Sequence, residues 1–285
     1  MKTLTSITFS LVAVLAAGCG SAKQEIENVG SDTMLEVANA FAQNYHDQHP
    51  EVSISVSGGG SGRGITDMIA GTLDLANSSR QLKAEELELA KKHGVTPVEH
   101  VVGHDAIAIF VHKDNPLPSI TLDQLKALFG EGGKLTKWSE LGVDLGKDAD
   151  PVVLASRQSS SGTFEYFREH VLGGSKASFK AQCNLLNGSK DVVDFCAKTR
   201  SAIGYSGIAY ATKEIRVVPV VGKDGKPVQP SAATVLDGTY AISRPLFMFT
   251  NGEPKDALKH YLDWIKGDAG QKVLVDKGYV PIRKV

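Results

Sequence analysis

The sequence has few cysteines, almost no net charge and no long hydrophobic run after its N-terminal segment. Its 285 residues include 3 cysteines and 2 tryptophans, and 31 basic residues nearly balance 32 acidic ones. Without a dense basic cluster, the chain lacks the surface that nucleic-acid binding usually needs, so no nucleic-acid partner is expected. No apolar run after the N-terminal segment reaches the length of a membrane span.

The catalytic and metal-binding patterns that spacing alone can reveal are also missing. The sequence contains no His-Glu-x-x-His, Cys-x-x-Cys or Gly-x-Ser-x-Gly pattern. Zinc peptidases, paired-cysteine sites and serine hydrolases of the α/β class therefore have no support. We predict a globular protein without catalytic residues, metal or cofactor.

The N-terminus has the pattern of an export signal. Lys2 precedes an apolar run at residues 7–17, which is too short to span a bilayer. The run ends in Leu15-Ala16-Ala17-Gly18-Cys19, which resembles a bacterial lipobox. We predict a signal peptide at 1–18, a lipidated Cys19 with a tether at 19–24, and a protein anchored in the cell envelope. The alternative is an ordinary signal peptide that is cleaved nearby.

The two remaining cysteines, Cys183 and Cys196, lie 13 positions apart. In the oxidising environment of the envelope, this spacing permits a short disulfide loop. We expect that disulfide, and two buried thiols are the alternative.

Strand and helix patterns alternate almost throughout the chain. Residues 26–29, 52–57, 73–76, 98–102 and 106–112 are predicted strands, and residues 34–48, 65–70, 84–93 and 122–129 are predicted helices. The second half repeats this order, which indicates α/β architecture with open sheets flanked by helices. We predict two lobes, one formed by 25–104 plus about 240–285 and the other by about 105–239.

Four segments rich in glycine and hydroxyl side chains each follow a predicted strand. Glycine allows a backbone to approach a ligand closely, and the free N–H groups and dipole of a helix start favour an anion. Because strand ends meet at one edge of an open α/β sheet, we expect the segments to converge. They are residues 30–33, 58–64, 77–80 and 156–163.

The last segment supplies the best candidates for contact with an oxyanion. Arg157 can donate two parallel hydrogen bonds, and Ser161, Gly162 and Thr163 add hydroxyl and backbone donors. The alternative is an ordinary helix cap beside a surface arginine. The candidates from the other segments are Ser31, Asp32, Thr33, Ser61, Ser78 and Ser79.

Two roles remain open for Asp32, since a carboxylate repels an anion. Asp32 could cap the first helix, or it could accept the proton of a hydrogen phosphate, which sulfate does not offer. Ser31 and Thr33 are expected to cap the same helix and to direct their hydroxyls outward.

At these residues the chain resembles the phosphate-binding proteins of bacterial ABC transporters. The resemblance runs from about residue 25 to residue 284. It rests on the four segments above and on Asp105–Ile109, Ile203–Tyr205, Arg244–Leu246 and Lys277–Pro281. It implies a two-lobed periplasmic-binding-protein fold of type II, with inorganic phosphate held in the cleft between the lobes.

The resemblance also implies roles for residues and for partners. Arg157, Ser161, Gly162 and Thr163 match the arginine and the Ser-Gly-Thr loop of the family, and Ser79 stands where some members carry an aspartate. Ser61, Ser31 and Thr33 match the other phosphate-binding segments. The implied partners are phosphate, an ABC permease and its separate ATPase, with the protein acting as a monomer.

Three alternatives remain open. The same fold could bind another oxyanion, such as sulfate, molybdate or a phosphorylated metabolite. A hydrolase of phosphate esters is less well supported, because no cluster of metal ligands can be recognised in the sequence. An extracellular adhesion or sensing protein could hold the anion for structural purposes only.

Overall fold

The computed structural model describes residues 24–283. The predicted signal peptide and Cys19 lie outside the described residues. The strands are β1 (Gln24–Gly30), β2 (Val52–Ser57), β3 (Leu75–Ser78), β4 (Pro97–His112), β5 (Val153–Arg157), β6 (Asn184–Leu186), β7 (Ala202–Gly207), β8 (Ile215–Val218), β9 (Val220–Val221), β10 (Pro227–Val228) and β11 (Ser243–Asn251). The helices are α1 (Leu35–His46), α2 (Ser61–Ile69), α3 (Ala84–Lys92), α4 (Leu122–Phe129), α5 (Gly162–His170), α6 (Ser189–Lys198), α7 (Ala232–Leu236), α8 (Asp256–Lys266) and α9 (Asp268–Asp276).

One long strand, β4, connects two mixed sheets. Its first part pairs with β11 in the order β2-β1-β3-β11-β4, and its second part pairs with β7 and β8 beside β5 and β6. Strands β1, β2 and β3 run parallel, as do β5, β6 and β7, whereas β11 and β4 are antiparallel to their neighbours. We call the lobe around the first sheet the first lobe and the lobe around the other the second lobe.

Both faces of each sheet are covered by hydrophobic clusters. In the first lobe, Leu75 packs with α1, α8 and α9, while its neighbour Ala76 packs on the other face with α2. In the second lobe, Ile109 and Phe110 likewise belong to clusters on opposite faces. This pattern follows from the alternation of side chains along a strand, and it confirms the predicted α/β sheets with flanking helices.

The predicted disulfide between Cys183 and Cys196 is absent from the structure, and this part of the prediction is corrected. Both are free, buried thiols. Cys183 packs in the same cluster as Ile109, and Cys196 packs in the cluster of Phe110. The second sheet therefore lies between the two sulfur atoms, and short sequence separation could not reveal this. Burial raises the pKa of the Cys183 thiol to about 11 and that of Cys196 to about 12, so both remain protonated and unreactive near neutral pH.

Between residues 24 and 283, no helix combines the length and the apolar character that crossing a bilayer requires.

Candidate functional site

The four predicted segments come together where the two lobes meet. Strands β1, β3 and β5 end at this point, and helices α2 and α5 begin there. Glycine makes the close approach possible: Gly30 has φ +144°, and a Cβ at this position would lie 2.2 Å from the carbonyl oxygen of Asn77. The predicted site residues that are buried there are Ser31, Thr33, Ser61, Ser78, Ser79, Arg157, Ser161, Gly162 and Thr163.

Three serine hydroxyls from the first lobe form a buried cluster. The Oγ of Ser31 donates to the Oγ of Ser79 at 3.1 Å, and the Oγ atoms of Ser61 and Ser79 are 3.4 Å apart. The backbone N–H of Ser79 also donates to the Oγ of Ser61 at 3.1 Å. The cluster joins the ends of β1 and β3 to the start of α2, which places three adaptable hydroxyl groups beside one another.

The second lobe touches this cluster directly. Gly162, the first residue of α5, lies so close that an added Cβ would be 2.4 Å from the Oγ of Ser61 and 2.6 Å from that of Ser79. The backbone N–H of Gly62 donates to the carbonyl oxygen of Ser160 at 3.0 Å. The lobes are therefore in contact across the site, which is a closed arrangement.

Ser161 caps α5 and keeps a hydroxyl proton for another partner. Its Oγ accepts from the N–H groups of Thr163 and Phe164 at 3.2 and 3.4 Å. These bonds use the lone pairs of the oxygen, while the proton remains available. The capping interpretation is confirmed at this residue, and it is compatible with anion binding.

The expected caps of the first helix are wrong for Ser31 and Thr33. Helix α1 begins at Leu35, and no side chain caps its start. The hydroxyl of Ser31 bonds to Ser79 instead, and that of Thr33 lies 2.8 Å from the hydroxyl of Thr163 in the other lobe. Both side chains therefore belong to the contact between the lobes.

Arg157 lies at the end of β5 with a fully buried side chain. Its Nη2 donates at 2.8 Å both to the Oδ2 of Asp32 and to the carbonyl oxygen of Asn187, and its Nη1 donates to the Oγ of Ser189 at 3.0 Å. Burial lowers the pKa of Arg157, and the carboxylate of Asp32 opposes this effect. An arginine nevertheless stays protonated in a protein.

Asp32 links the lobes through this ion pair. One carboxylate oxygen accepts from Arg157, and the other accepts from the N–H of Gly59 at 2.9 Å. The hydroxyl of Tyr210 donates to the carbonyl oxygen of Asp32 at 2.6 Å. The carboxylate therefore does not cap α1, and it offsets much of the positive charge of Arg157.

Ser78 is the one predicted hydroxyl that the structure directs elsewhere. Its Oγ donates to the carbonyl oxygen of Arg80 at 2.6 Å and accepts from the N–H of Arg80 at 3.3 Å. Successive residues at a strand end point to opposite faces, so Ser79 reaches the serine cluster while Ser78 forms a local turn. The guanidinium of Arg80 bonds to both carboxylate oxygens of Glu86.

A second buried arginine, Arg244 on β11, was not among the predicted site residues. Its Nη1 donates to the carbonyl oxygen of Ser79 at 3.0 Å, and its Nη2 donates to the Oγ1 of Thr163 at 2.9 Å. It also forms an ion pair with Asp105, in which both side chains are fully buried. A signal was present in the sequence: an arginine inside an otherwise apolar strand needs a buried partner.

The charges at the site nearly cancel. Burial raises the pKa of Asp105, and the guanidinium of Arg244 opposes this effect. Because Arg157 is paired with Asp32 and Arg244 with Asp105, a bound anion would be held chiefly by hydroxyl and N–H dipoles. No group of three or more His, Cys, Asp or Glu side chains suited to a metal ion occurs in residues 24–283.

Comparison with known proteins agrees with this arrangement. The family model of the PBP superfamily domain matches residues 16–269. The phosphate-binding protein PstS of Pseudomonas aeruginosa is 35% identical over 269 residues, covering 90% of this chain and 83% of its own. PstS of Bacillus subtilis is 30% identical, covering 99% and 94%.

A solved structure from Clostridium perfringens is similar over its whole length. It is assigned as a phosphate ABC transporter substrate-binding protein, and it contains bound phosphate. The TM-score is 0.81 at 29% identity, with coverage of 91% of this chain and 100% of that one. The two-lobed fold, the matching family model and these relatives together show that the chain belongs to the PBP superfamily and, within it, to the PstS family of phosphate-binding proteins.

Proposed function

We propose that this protein captures inorganic phosphate outside the cytoplasm and delivers it to an ABC permease. The observation that carries the proposal is the buried convergence of the serine cluster with Gly162, Thr163 and Arg157 between two touching lobes. The phosphate-binding names of the relatives and the phosphate in the C. perfringens structure support the same ligand.

The site would replace the water around phosphate with short polar groups. The hydroxyls of Ser31, Ser61, Ser79, Ser161 and Thr163 each have a proton that can be turned toward an oxygen of the anion. The N–H groups of Ser61 and Gly162, the first residues of α2 and α5, have no acceptor within their helices, and the positive ends of both helix dipoles lie at the same place. Arg157 adds a positive charge that Asp32 largely offsets, and closure of the lobes excludes water.

Asp32 would help to select phosphate over sulfate. A carboxylate has about four acceptor positions, and two of them are used by Arg157 and Gly59. A remaining lone pair can accept the proton of a hydrogen phosphate, whereas it would repel an oxygen of sulfate. In this role the negatively charged acceptor is Asp32, in the segment after β1. Ser79, in the segment after β3, is neutral and cannot take this role.

We propose capture without chemical conversion, since a dipole-lined site that closes on its ligand serves binding and release. A chromogenic phosphate ester should therefore not be hydrolysed. The protein would act as a monomer, and its permease would be driven by a separate ATPase. Lipid on Cys19 would hold it in the cell envelope.

We also propose the division into a lobe of residues 25–104 plus about 240–285 and a lobe of about 105–239. It is supported by the change of partner along β4, where Ala106 pairs with Ser243 of β11 and Ile107 pairs with Gly207 of β7.

Isothermal titration calorimetry on protein dialysed into phosphate-free buffer tests the main proposal. Phosphate should bind with one site per chain, and an equal concentration of sulfate should compete poorly at neutral pH. The Ser61→Ala variant should bind phosphate about 10- to 150-fold more weakly, because a hydrogen bond to a charged group contributes about 1.5–3 kcal/mol. Ser55→Ala, an exposed serine on β2, is the matched control. Absence of phosphate binding in the wild type would refute the proposal.

A further inference from the structure

Arg244 contacts three of the four polar segments without belonging to any of them. Its guanidinium donates to the carbonyl oxygen of Ser79, to the Oγ1 of Thr33 at 3.3 Å and to the Oγ1 of Thr163 at 2.9 Å. Thr33 belongs to the first lobe and Thr163 to the second, so one side chain on strand β11 touches both sides of the cleft.

Asp105 and Tyr166 fix the orientation of this guanidinium. The Oδ2 of Asp105 accepts from its Nε at 3.2 Å and from its Nη2 at 2.9 Å. The ring of Tyr166 lies 5.7 Å from the guanidinium carbon. Since the charge of Arg244 is balanced by Asp105, its effect on an anion in the cleft must come largely from what it does to its neighbours.

The effect on the two threonines follows from counting their protons. The two Oγ1 atoms lie 2.8 Å apart, so one hydroxyl donates to the other. Of the two protons on Nη2 of Arg244, one bonds to Asp105 and the other is shared between the two Oγ1 atoms, which both lie within hydrogen-bond distance. A guanidinium has no lone pair to accept a proton. The second hydroxyl proton therefore points away from Arg244, and the pair presents an O–H donor to the cleft. Without this fork, either oxygen could turn a lone pair toward the cleft and repel an anion.

We propose that Arg244 is a positioning residue that makes Thr33 and Thr163 act as hydrogen-bond donors to the bound anion. The inference rests on the proposed capture of phosphate. Charge alone would be supplied equally well by lysine, whereas the simultaneous bonds to Asp105, Ser79 and the two threonines require the planar fork of arginine.

A mutant cycle that combines Arg244→Lys with the paired change Thr33→Val and Thr163→Val tests the proposal, with phosphate affinity measured by calorimetry and thermal stability measured without ligand. Arg244→Lys keeps a cation beside Asp105, which protects folding. We expect it to weaken phosphate binding about tenfold, as for the loss of a bond to a charged group. We expect the variant with all three changes to bind no more than about twofold more weakly than Arg244→Lys or the threonine pair, whichever of these binds more weakly, because both remove the same donor.

Wild-type affinity in Arg244→Lys would overturn the proposal, because it would show that only charge matters. Effects that multiply in the combined variant would also overturn it, because they would show that Arg244 does not act through Thr33 and Thr163. If Arg244→Lys does not fold, the cycle of Thr33→Val and Thr163→Val decides. Either remaining threonine can still donate, so each single change should cost less than about threefold and the pair more than the product of the two. A loss of affinity in this double variant no larger than the product of the two single losses would contradict the proposal.

If the wild type binds no phosphate, the proposed function and this inference are both wrong. If it binds phosphate and the cycles show no coupling, only this inference is wrong.

Discussion

Replacing Gly162 with alanine tests the closed arrangement of the site, because it adds a single methyl group where the two lobes touch. The backbone φ of Gly162 is not in the left-handed region, so alanine is acceptable there by conformation. The added Cβ, however, would lie 2.4 and 2.6 Å from the hydroxyl oxygens of Ser61 and Ser79 and 3.0 Å from the Cβ of Ser61. These neighbours belong to the other lobe, and they would have to move before the lobes could close.

The expected loss can be estimated from the cost of overpacking. Forcing an extra methyl group into a packed contact costs about 1–3 kcal/mol, which corresponds to about 5- to 150-fold in affinity. The cost arises only when the lobes meet, so the open protein should not feel it. The melting temperature without ligand should therefore stay within about 2 °C of the wild type.

Calorimetry with phosphate and a thermal melt without ligand provide the two measurements. Gly62→Ala is the matched control on the facing helix, because its Cβ would lie 3.2 Å from the carbonyl oxygen of Ser160, a much looser contact. We expect Gly62→Ala to weaken binding less than Gly162→Ala. Unchanged affinity in Gly162→Ala would show that the two lobes do not approach so closely at this point in the liganded protein.

Three further predictions follow from other contacts. Asp32→Asn should reduce the preference for phosphate over sulfate in competition calorimetry, because an amide can donate to sulfate; an unchanged preference would exclude this role for Asp32. Lys83→Met should weaken phosphate binding by less than about fivefold, since Lys83 contacts Glu165 of the other lobe at 3.3 Å. This loss should diminish in high salt, and a salt-independent loss would argue against the ion pair. Burial lowers the pKa of His100 and of His104, so the unfolded chain binds more protons than the folded one below about pH 6.5. The urea concentration at the unfolding midpoint should therefore decrease when the pH is lowered from 7.5 to 5. His100→Gln should make this decrease smaller, and an equal decrease in the variant would contradict the assignment to His100.

The local patterns of the sequence predicted most of the elements well. Helix α4 was predicted at residues 122–129 and is observed at Leu122–Phe129, because the hydrophobic spacing and the Thr121 cap are local signals. All four polar segments lie at strand ends, as predicted: they follow β1, β2, β3 and β5. Those positions follow from chain order and from the meeting of parallel strand ends at one sheet edge.

The connection between the lobes could not be predicted in the same way. Residues 98–102 and 106–112 were predicted as two strands, and the structure has them in the single strand β4. The interruption at Gly103, His104 and Asp105 looks like a loop in sequence. It continues as a strand because β11, about 140 positions later, supplies both the backbone partners and the guanidinium that neutralises Asp105.

The sequence by itself determined which chemical groups stand at the strand ends. The glycines and hydroxyl side chains are part of the sequence, and the places where strands end and helices start depend on neighbouring residues. Only the tertiary structure decided how those groups are paired. Asp32 is bonded to Arg157 rather than to its own helix, Thr33 to Thr163, and Arg244 to residues of both lobes. Cys183 and Cys196 are likewise separated by a sheet in spite of their short spacing. Pairing across about 80 residues or more depends on the three-dimensional packing of whole lobes, and no local pattern of side chains encodes it.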